Sequence, residues 1–586
     1  MPKRLLDVGS GNMEIRLEQD ITNPSPYIAL SHCWQFSQPL KMTKDRLKQR
    51  GTSIHLEELS PTLRDAVQIA RWIGIQYIWI DSLCIIQDDL KDWQEQSVQM
   101  GNIYRQSYFT IAAHVDMNSP SPTHGCFLER KTFYEFTHQD DSDRNYHTLV
   151  RGDFTHTEDP VTPISLTGRG WCYQERLLAS RIIHFRPGEI SFECFSNTTC
   201  ECEALLPHDH LPWPRQPYES VKEGFAEYAR VVEPDGDSAL SDANNELDAG
   251  KAWMAWHDIV SNYATSAFTF KTDRFPALAS VASRMPKRVF GSYLAGLWTK
   301  ELISELLWRR SYNVLRFRDK PYVAPSFSWA SGSGSIVLWS PWKELGGPYH
   351  LPLARVLEVN RELVTPEPFG QVRDGSIRLS GRVAPVKLRI PFLQRMYWIL
   401  KPIPAMQRVE WLDQASEIPQ WFCYKLRGFA WKLDHYPSLH FARDYVRHFA
   451  ESLNTHKSTT VAEIAQLTRG DKSLNDLDGW TCSATSDTEE DSARMVLENL
   501  IAIELATWTP DFAAIENNDN GRVEVGALLL APSRRRKGAY DRVAHIHFLR
   551  DIKEDDRVRI EDGREENLRR LNDCFAGCEE REIVIV

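Results

Sequence analysis

Tyr77-Ile78-Trp79-Ile80-Asp81-Ser82-Leu83-Cys84-Ile85-Ile86-Gln87-Asp88-Asp89 opens as an uninterrupted apolar run that stops abruptly at an acid, Asp81. Such a run is how a strand buried on both faces reads, and strands of that kind belong to parallel sheets covered by helices. Asp81 then falls just past the carboxyl end of its strand, where open α/β sheets bind ligands.

The flanking sequence supplies the covering elements. Asn23-Pro24-Ser25-Pro26 breaks any helix and leads into a short apolar strand, Tyr27 to Ser31, followed by a loop through His32, Cys33 and Trp34. Ser60-Pro61 offers an N-cap with proline at the first helical position, and Leu63, Ala66, Val67, Ala70 and Ile73 recur at helical spacing up to a stop at Gly74. Strand, helix and the Tyr77 strand form one βαβ unit. Asp88-Asp89 can start a second helix with Trp93, Met100, Ile103 and Tyr104 on its inner face. Tyr108 to Ala113 reads as a third strand ending at His114, and residues 116–167 as a long surface insertion containing some strand, such as Thr148 to Val150. A glycine-rich turn enters a short helix at Gly168 to Leu178, and two more strands follow, Arg181 to Phe185 and Glu189 to Cys194. Five short strands with interleaved helices predict an α/β domain with a flavodoxin-like, doubly wound parallel sheet. In that topology Ser31, Trp34 and His114 flank one crevice at the switch point.

Composition bounds the rest. The chain has 586 residues, 42% hydrophobic and 25% charged, which is globular and long enough for several domains. The net charge of −11 disfavours nucleic acid and anionic lipid as partners, and the one basic knot, Arg534 to Lys537, reads as a solvated loop. No run approaches a membrane span, no leader is visible, and 11 cysteines, several in apolar runs, fit a reducing compartment, so a cytoplasmic protein is expected. Residues 1–26 form a mixed polar N-terminal segment and 27–204 the α/β domain. Residues 205–335 make a helical, aromatic-rich region carrying Trp253, Trp256, Ile259 and Tyr263. Residues 336–586 make a mixed α+β, strand-rich region with an exposed acidic loop near 475–491 and strands at Val523 to Leu530, Val543 to Leu549 and Glu582 to Val586.

Several ordered blocks resemble one family. Tyr27-Ile28-Ala29-Leu30-Ser31-His32-Cys33-Trp34, Leu63-Arg64-Asp65-Ala66, Tyr77 to Asp88, Met100 with Ile103-Tyr104, and Arg169-Gly170-Trp171-Cys172-Tyr173-Gln174-Glu175-Arg176 resemble successive blocks of the fungal heterokaryon incompatibility (HET) domain. Gln35 departs from the glycine usual after the tryptophan. The resemblance implies allorecognition and regulated cell death on fusion of unlike hyphae, and a core similar to the Toll/interleukin-1 receptor (TIR) fold. Some TIR domains cleave NAD, with a hallmark Trp-x-x-x-Glu helix. Trp171 and Glu175 have that form here.

Cleaving the nicotinamide glycosidic bond builds an oxocarbenium-like centre that a nearby carboxylate stabilises, and the cationic leaving group makes a paired acid unnecessary. On this reading Glu175 is the catalytic residue, with Ser31, Trp34, Asp81, His114, Trp171 and Arg176 binding substrate. The plain alternatives are a Glu175 ion pair with Arg169 or Arg176, an N-cap role for Asp81, a core role for Trp34 and a structural His114. Cys194, Cys200, Cys202, His208 and His210 lack the paired spacing of a zinc site, and no cofactor is expected, NAD being substrate. Expected partners are NAD and either a like chain or a partner incompatibility protein. A non-catalytic assembly module and an enzyme of a small metabolite are the rival readings.

Overall fold

The computed structural model describes residues 1–9, 14–21, 23, 25–34, 40–114, 125–127, 134–139, 145–150, 166–186, 189–201, 222, 224–225, 242–310, 322–338, 349–389, 466–469, 472–473, 480–486, 500–509, 522–551, 575 and 577–586. They fall into two compact units, one of residues 1–305, 319–345 and 360–375 and the other of residues 306–318, 346–359 and 376–586.

The first unit is built on a nine-stranded sheet. Its strands are β1 (Arg4–Asp7), β2 (Glu14–Gln19), β3 (Tyr27–His32), β4 (Ser53–His55), β5 (Tyr77–Ile80), β6 (Thr110–Ala113), β9 (Arg181–Phe185), β10 (Ile190–Cys194) and β11 (Thr198–Cys200), with β7 (Tyr134–Gln139) and β8 (Asn145–Val150) forming a separate hairpin in the insertion. The parallel block runs β5-β3-β6-β9, so the chain winds from β3 outward to β5 and then returns across β3 to β6 and β9. That is the doubly wound order read from the sequence. Right-handed crossovers put α2 (Pro61–Ile73) on one face, and α4 (Leu90–Gln106) and α5 (Gly170–Leu178) on the other.

Two features differ from an all-parallel sheet. β10 is antiparallel to β9 because four residues, 186–189, separate them, too few for the crossover a parallel partner needs. At the opposite edge β1, β2 and β4 add antiparallel strands, burying Leu5, Leu6, Ile15 and Leu17. The alternation Glu14-Ile15-Arg16-Leu17-Glu18 is the signal for β2 within a segment that averages as polar. Arg4 ties this edge down: its buried guanidinium donates to the Cys84 carbonyl at 2.7 Å and pairs with the Asp92 carboxylate.

The local signals act as their chemistry dictates. Gly74 ends α2 in the left-handed region at φ 78°, which costs glycine little, and the Asp89 side chain caps α4 by accepting from the Lys91 amide at 3.1 Å. Helix α1 (Lys44–Arg50) starts at Thr43, and the short turn α3 (Asp81–Cys84) follows β5 directly. Downstream, α6 (Asp242–Tyr263) buries Trp253, Trp256, Ile259 and Tyr263 as its spacing predicts, and α7 (Pro276–Ala282) packs against both α4 and α5.

The second unit is strand-rich. Tyr349–Pro352, Leu500–Thr509, Arg522–Pro532, Tyr540–Asp551, Glu579–Ile585 and Val372–Arg389 lie side by side in that order, antiparallel except for the contact of Tyr540 with Ile585. Arg534 to Lys537 sit at an exposed hairpin tip, as read. The acidic stretch near 475–491 differs from the reading, because Trp480–Ser486 is a strand paired along Tyr540–Asp551. Its Trp and Thr favour the pleated state, a preference that the acidic composition on either side averages away. Inside this unit Arg542, fully buried, donates to the Leu306 carbonyl at 2.6 Å and to the Trp308 carbonyl, its guanidinium 3.6 Å from the Trp308 ring centroid.

Two substitutions test the packing. A Cβ on Gly101 of α4 would lie 2.2 Å from Ser280 Cβ on α7, so Gly101→Ala should lose roughly 1–3 kcal/mol to overpacking, partly offset by about 1 kcal/mol of helix propensity, and lower the melting temperature. Arg542→Met should cost roughly 2–4 kcal/mol by leaving buried carbonyls unpaired, with Arg542→Lys recovering only part of the loss in urea denaturation.

Candidate functional site

Register assembles the site. Ser31 of β3 pairs with Ala112 of β6, Ala112 pairs with His184 of β9, and His184 pairs with Ser191 of β10. These positions share one face by the two-residue period of strands, and α5 lies over it, contributing Cys172, Tyr173 and Arg176. A cavity between sheet and helix is lined by Ser31, Ala112, His114, Cys172, Arg176 and His184 among others, with room for about one water.

Glu175, 4% exposed, accepts a short hydrogen bond from the Ser31 hydroxyl. Its carboxyl is pushed up to about 7, chiefly by burial. The Ser31 bond opposes that shift, Asp81 adds to it, and Arg169 and Tyr104 oppose it. The Tyr104 hydroxyl donates to the Leu30 carbonyl at 3.0 Å, and Arg169 donates to the His32 carbonyl at 2.9 Å. Asp81 accepts from the Trp34 indole at 2.9 Å and from the Ser82 amide at 2.7 Å, with His32 Nδ1 3.9 Å away. Trp34 is half-buried, with Lys41 over its ring.

The predicted residues therefore divide. Ser31, Glu175, Asp81 and Trp34 belong to one neighbourhood. His114 and Arg176 stand across the cavity in a second, where Arg176 donates to Glu193 at 2.8 Å, His184 Nε2 lies 2.9 Å from the same carboxylate, and Lys222 lies 3.4 Å from its other oxygen. His114 Nε2 is 3.0 Å from His184 Nδ1. Trp171 points elsewhere: it donates to Asp273 at 3.1 Å and packs edge-on against Trp93. Arg176 pairs with Glu193 and leaves Glu175 to Ser31.

Arg169, His32, Tyr104, His184 and Glu193 were not in the predicted set. For the last two a signal exists, since both fall at the inward parity of otherwise apolar strands, His184 with Ile182 and Glu193 with Ser191. Among the described residues no cluster of His, Cys, Asp or Glu is arranged for a metal, and Gln35, Cys202, His208 and His210 lie outside them.

Residues 27–175, from the first parallel strand through Glu175, match the family model for the heterokaryon incompatibility protein (HET). No curated protein and no solved structure matches the chain.

The raised Glu175 carboxyl has a pH signature. Between its ordinary value near 4.5 and the folded value near 7, the folded state holds a proton that the unfolded state releases, so stability is full below that window and falls as pH rises through it. The change is on the order of 3 kcal/mol. Glu175→Gln, which cannot ionise, should match the wild-type melting temperature at pH 5 and exceed it at pH 8. Equal melting temperatures at pH 8 would show that Glu175 titrates normally.

Proposed function

We propose that the HET domain acts in heterokaryon incompatibility as a TIR-like NAD glycohydrolase, with Glu175 facing the ribosyl cation. The observation that carries this reading is the buried Glu175 carboxylate held by Ser31 beside the carboxyl ends of the parallel strands, where α/β sheets bind ligands. Loss of nicotinamide leaves positive charge on the ribose carbon and ring oxygen, and an ionised Glu175 beside it would stabilise that charge. The approaching cation itself favours ionisation of a carboxyl poised near 7. Asp81, already bonded to Trp34, would add negative charge at the rim.

A cavity with room for about one water does not admit a dinucleotide, so the proposed activity belongs to an opened state, with α5 displaced from the sheet. That closure also favours a second reading, in which the domain signals by assembly and Glu175 is a structural acid. Nicotinamide release from NAD by the full chain, followed over a range of protein concentrations, separates the two. Hydrolysis should fall at least a hundredfold in a folded Glu175→Gln protein. Unchanged killing of cells by that variant would favour assembly.

A further inference from the structure

The second neighbourhood has a directionality that hydrogen-bond chemistry fixes. Glu193 is buried among Arg176, His184 and Lys222, and although burial alone would raise its carboxyl, these neighbours hold it well below the usual range. An ionised carboxylate only accepts, so His184 must carry its proton on Nε2. Burial pushes the His184 ring down to about 4, against the pull of Glu193 and with Arg186 and Arg176 adding to the push, so the ring is neutral and its Nδ1 is a lone pair. The 3.0 Å contact with that lone pair then requires a proton on His114 Nε2. His114 is neutral as well, driven well below its ordinary value by burial and by Arg186, His184 and Arg176, which outweigh Glu193. Its one remaining ring nitrogen, Nδ1, is left as an acceptor.

Ser31, on the neighbouring strand β3, lines the same cavity. Ser31 spends its proton on Glu175 and keeps lone pairs. Between the residues that bear these two acceptors lies room for about one water, which is also the size of one hydroxyl group. We propose that Glu193 and His184 are positioning residues that set His114 as a hydrogen-bond acceptor, and that the cavity takes one sugar hydroxyl, whose single proton is donated to His114. The ligand class is a neutral hydroxyl donor such as a ribose diol, in place of an anion. The choice of ribose rests on the glycohydrolase reading; the proton arrangement does not.

Two measurements on the full chain test it. Selective ¹⁵N-histidine labelling with long-range proton–nitrogen correlation reads each ring, signals being assigned by their loss in His114→Asn and His184→Asn. At pH 7.5 both rings should be protonated on Nε2 and bare on Nδ1, and Glu193→Gln, whose amide can donate, should populate the opposite tautomer in both. A wild-type ring protonated on Nδ1, or doubly protonated, overturns the relay, and that spectrum decides even where the variant does not fold. Calorimetry should then find ADP-ribose bound at least tenfold more tightly than ADP, with His114→Gln abolishing the difference. Equal affinities would mean that the second ribose finds no acceptor and would sink the ligand assignment. Neither measurement involves bond cleavage, so a protein that releases no nicotinamide can still pass both.

Discussion

The hydrogen bond from Ser31 to Glu175 joins the middle of the parallel sheet to the helix that covers it. A serine in the fully buried strand β3 needs a partner, and a carboxyl on the underside of α5 needs a donor. Each satisfies the other. The same constraint recurs along the face: His184, two residues from Ile182, and Glu193, two residues from Ser191, stand where a parallel-sheet core would carry Val or Leu. An apolar side chain there would be the simpler solution for stability, and a fully connected polar network is the arrangement that makes the polar one tolerable.

Two buried glutamates are driven in opposite directions. Glu175 has a serine, a tyrosine and a more distant arginine, so burial dominates and its proton is held more tightly. Glu193 has Arg176, Lys222 and a histidine N–H, and their combined attraction outweighs the same burial. Side chains of one type acquire different charge states from their neighbours alone, and pairs pushed apart in this way mark acid–base and charge-bearing roles. The cavity lies where the two environments meet.

The winding order, the helices α2 and α4 and the cap at Asp89 were legible because each rests on local chemistry: apolar period, proline at a first turn, glycine at a last one. Ser31 and Glu175 stand in motif blocks, but the bond that joins them spans 144 positions and no single block displays it. The antiparallel edge was less so, since direction depends on loop length and β2 hides in a polar average. The second cluster was the hardest to read. His114, His184 and Glu193 are brought together by strand register, and register is set by pairing that no single stretch of sequence displays. Trp171 shows the converse. Its spacing to Glu175 invites a shared role, yet a helix face is a surface with width, and Asp273 and Trp93 capture the indole on another part of it.

The small cavity beneath α5 and the raised Glu175 carboxyl have a common cause in the packing of α5 on the sheet. Burial under α5 both excludes a nucleotide and favours the protonated acid, so any movement that wets the site lowers the carboxyl toward its ordinary value and charges it. On the proposed glycohydrolase reading, opening of α5 and charging of the carboxylate would be the same event. The resting form is held by the packing of α5 and α4 on α7, at a contact so close that Gly101 has no room for a methyl group. On the proposed glycohydrolase reading, a partner or a like domain that loosened this contact would release the helix and favour the charged form of Glu175. A partner that bound without differential affinity for the loosened state would change nothing, however tightly it bound.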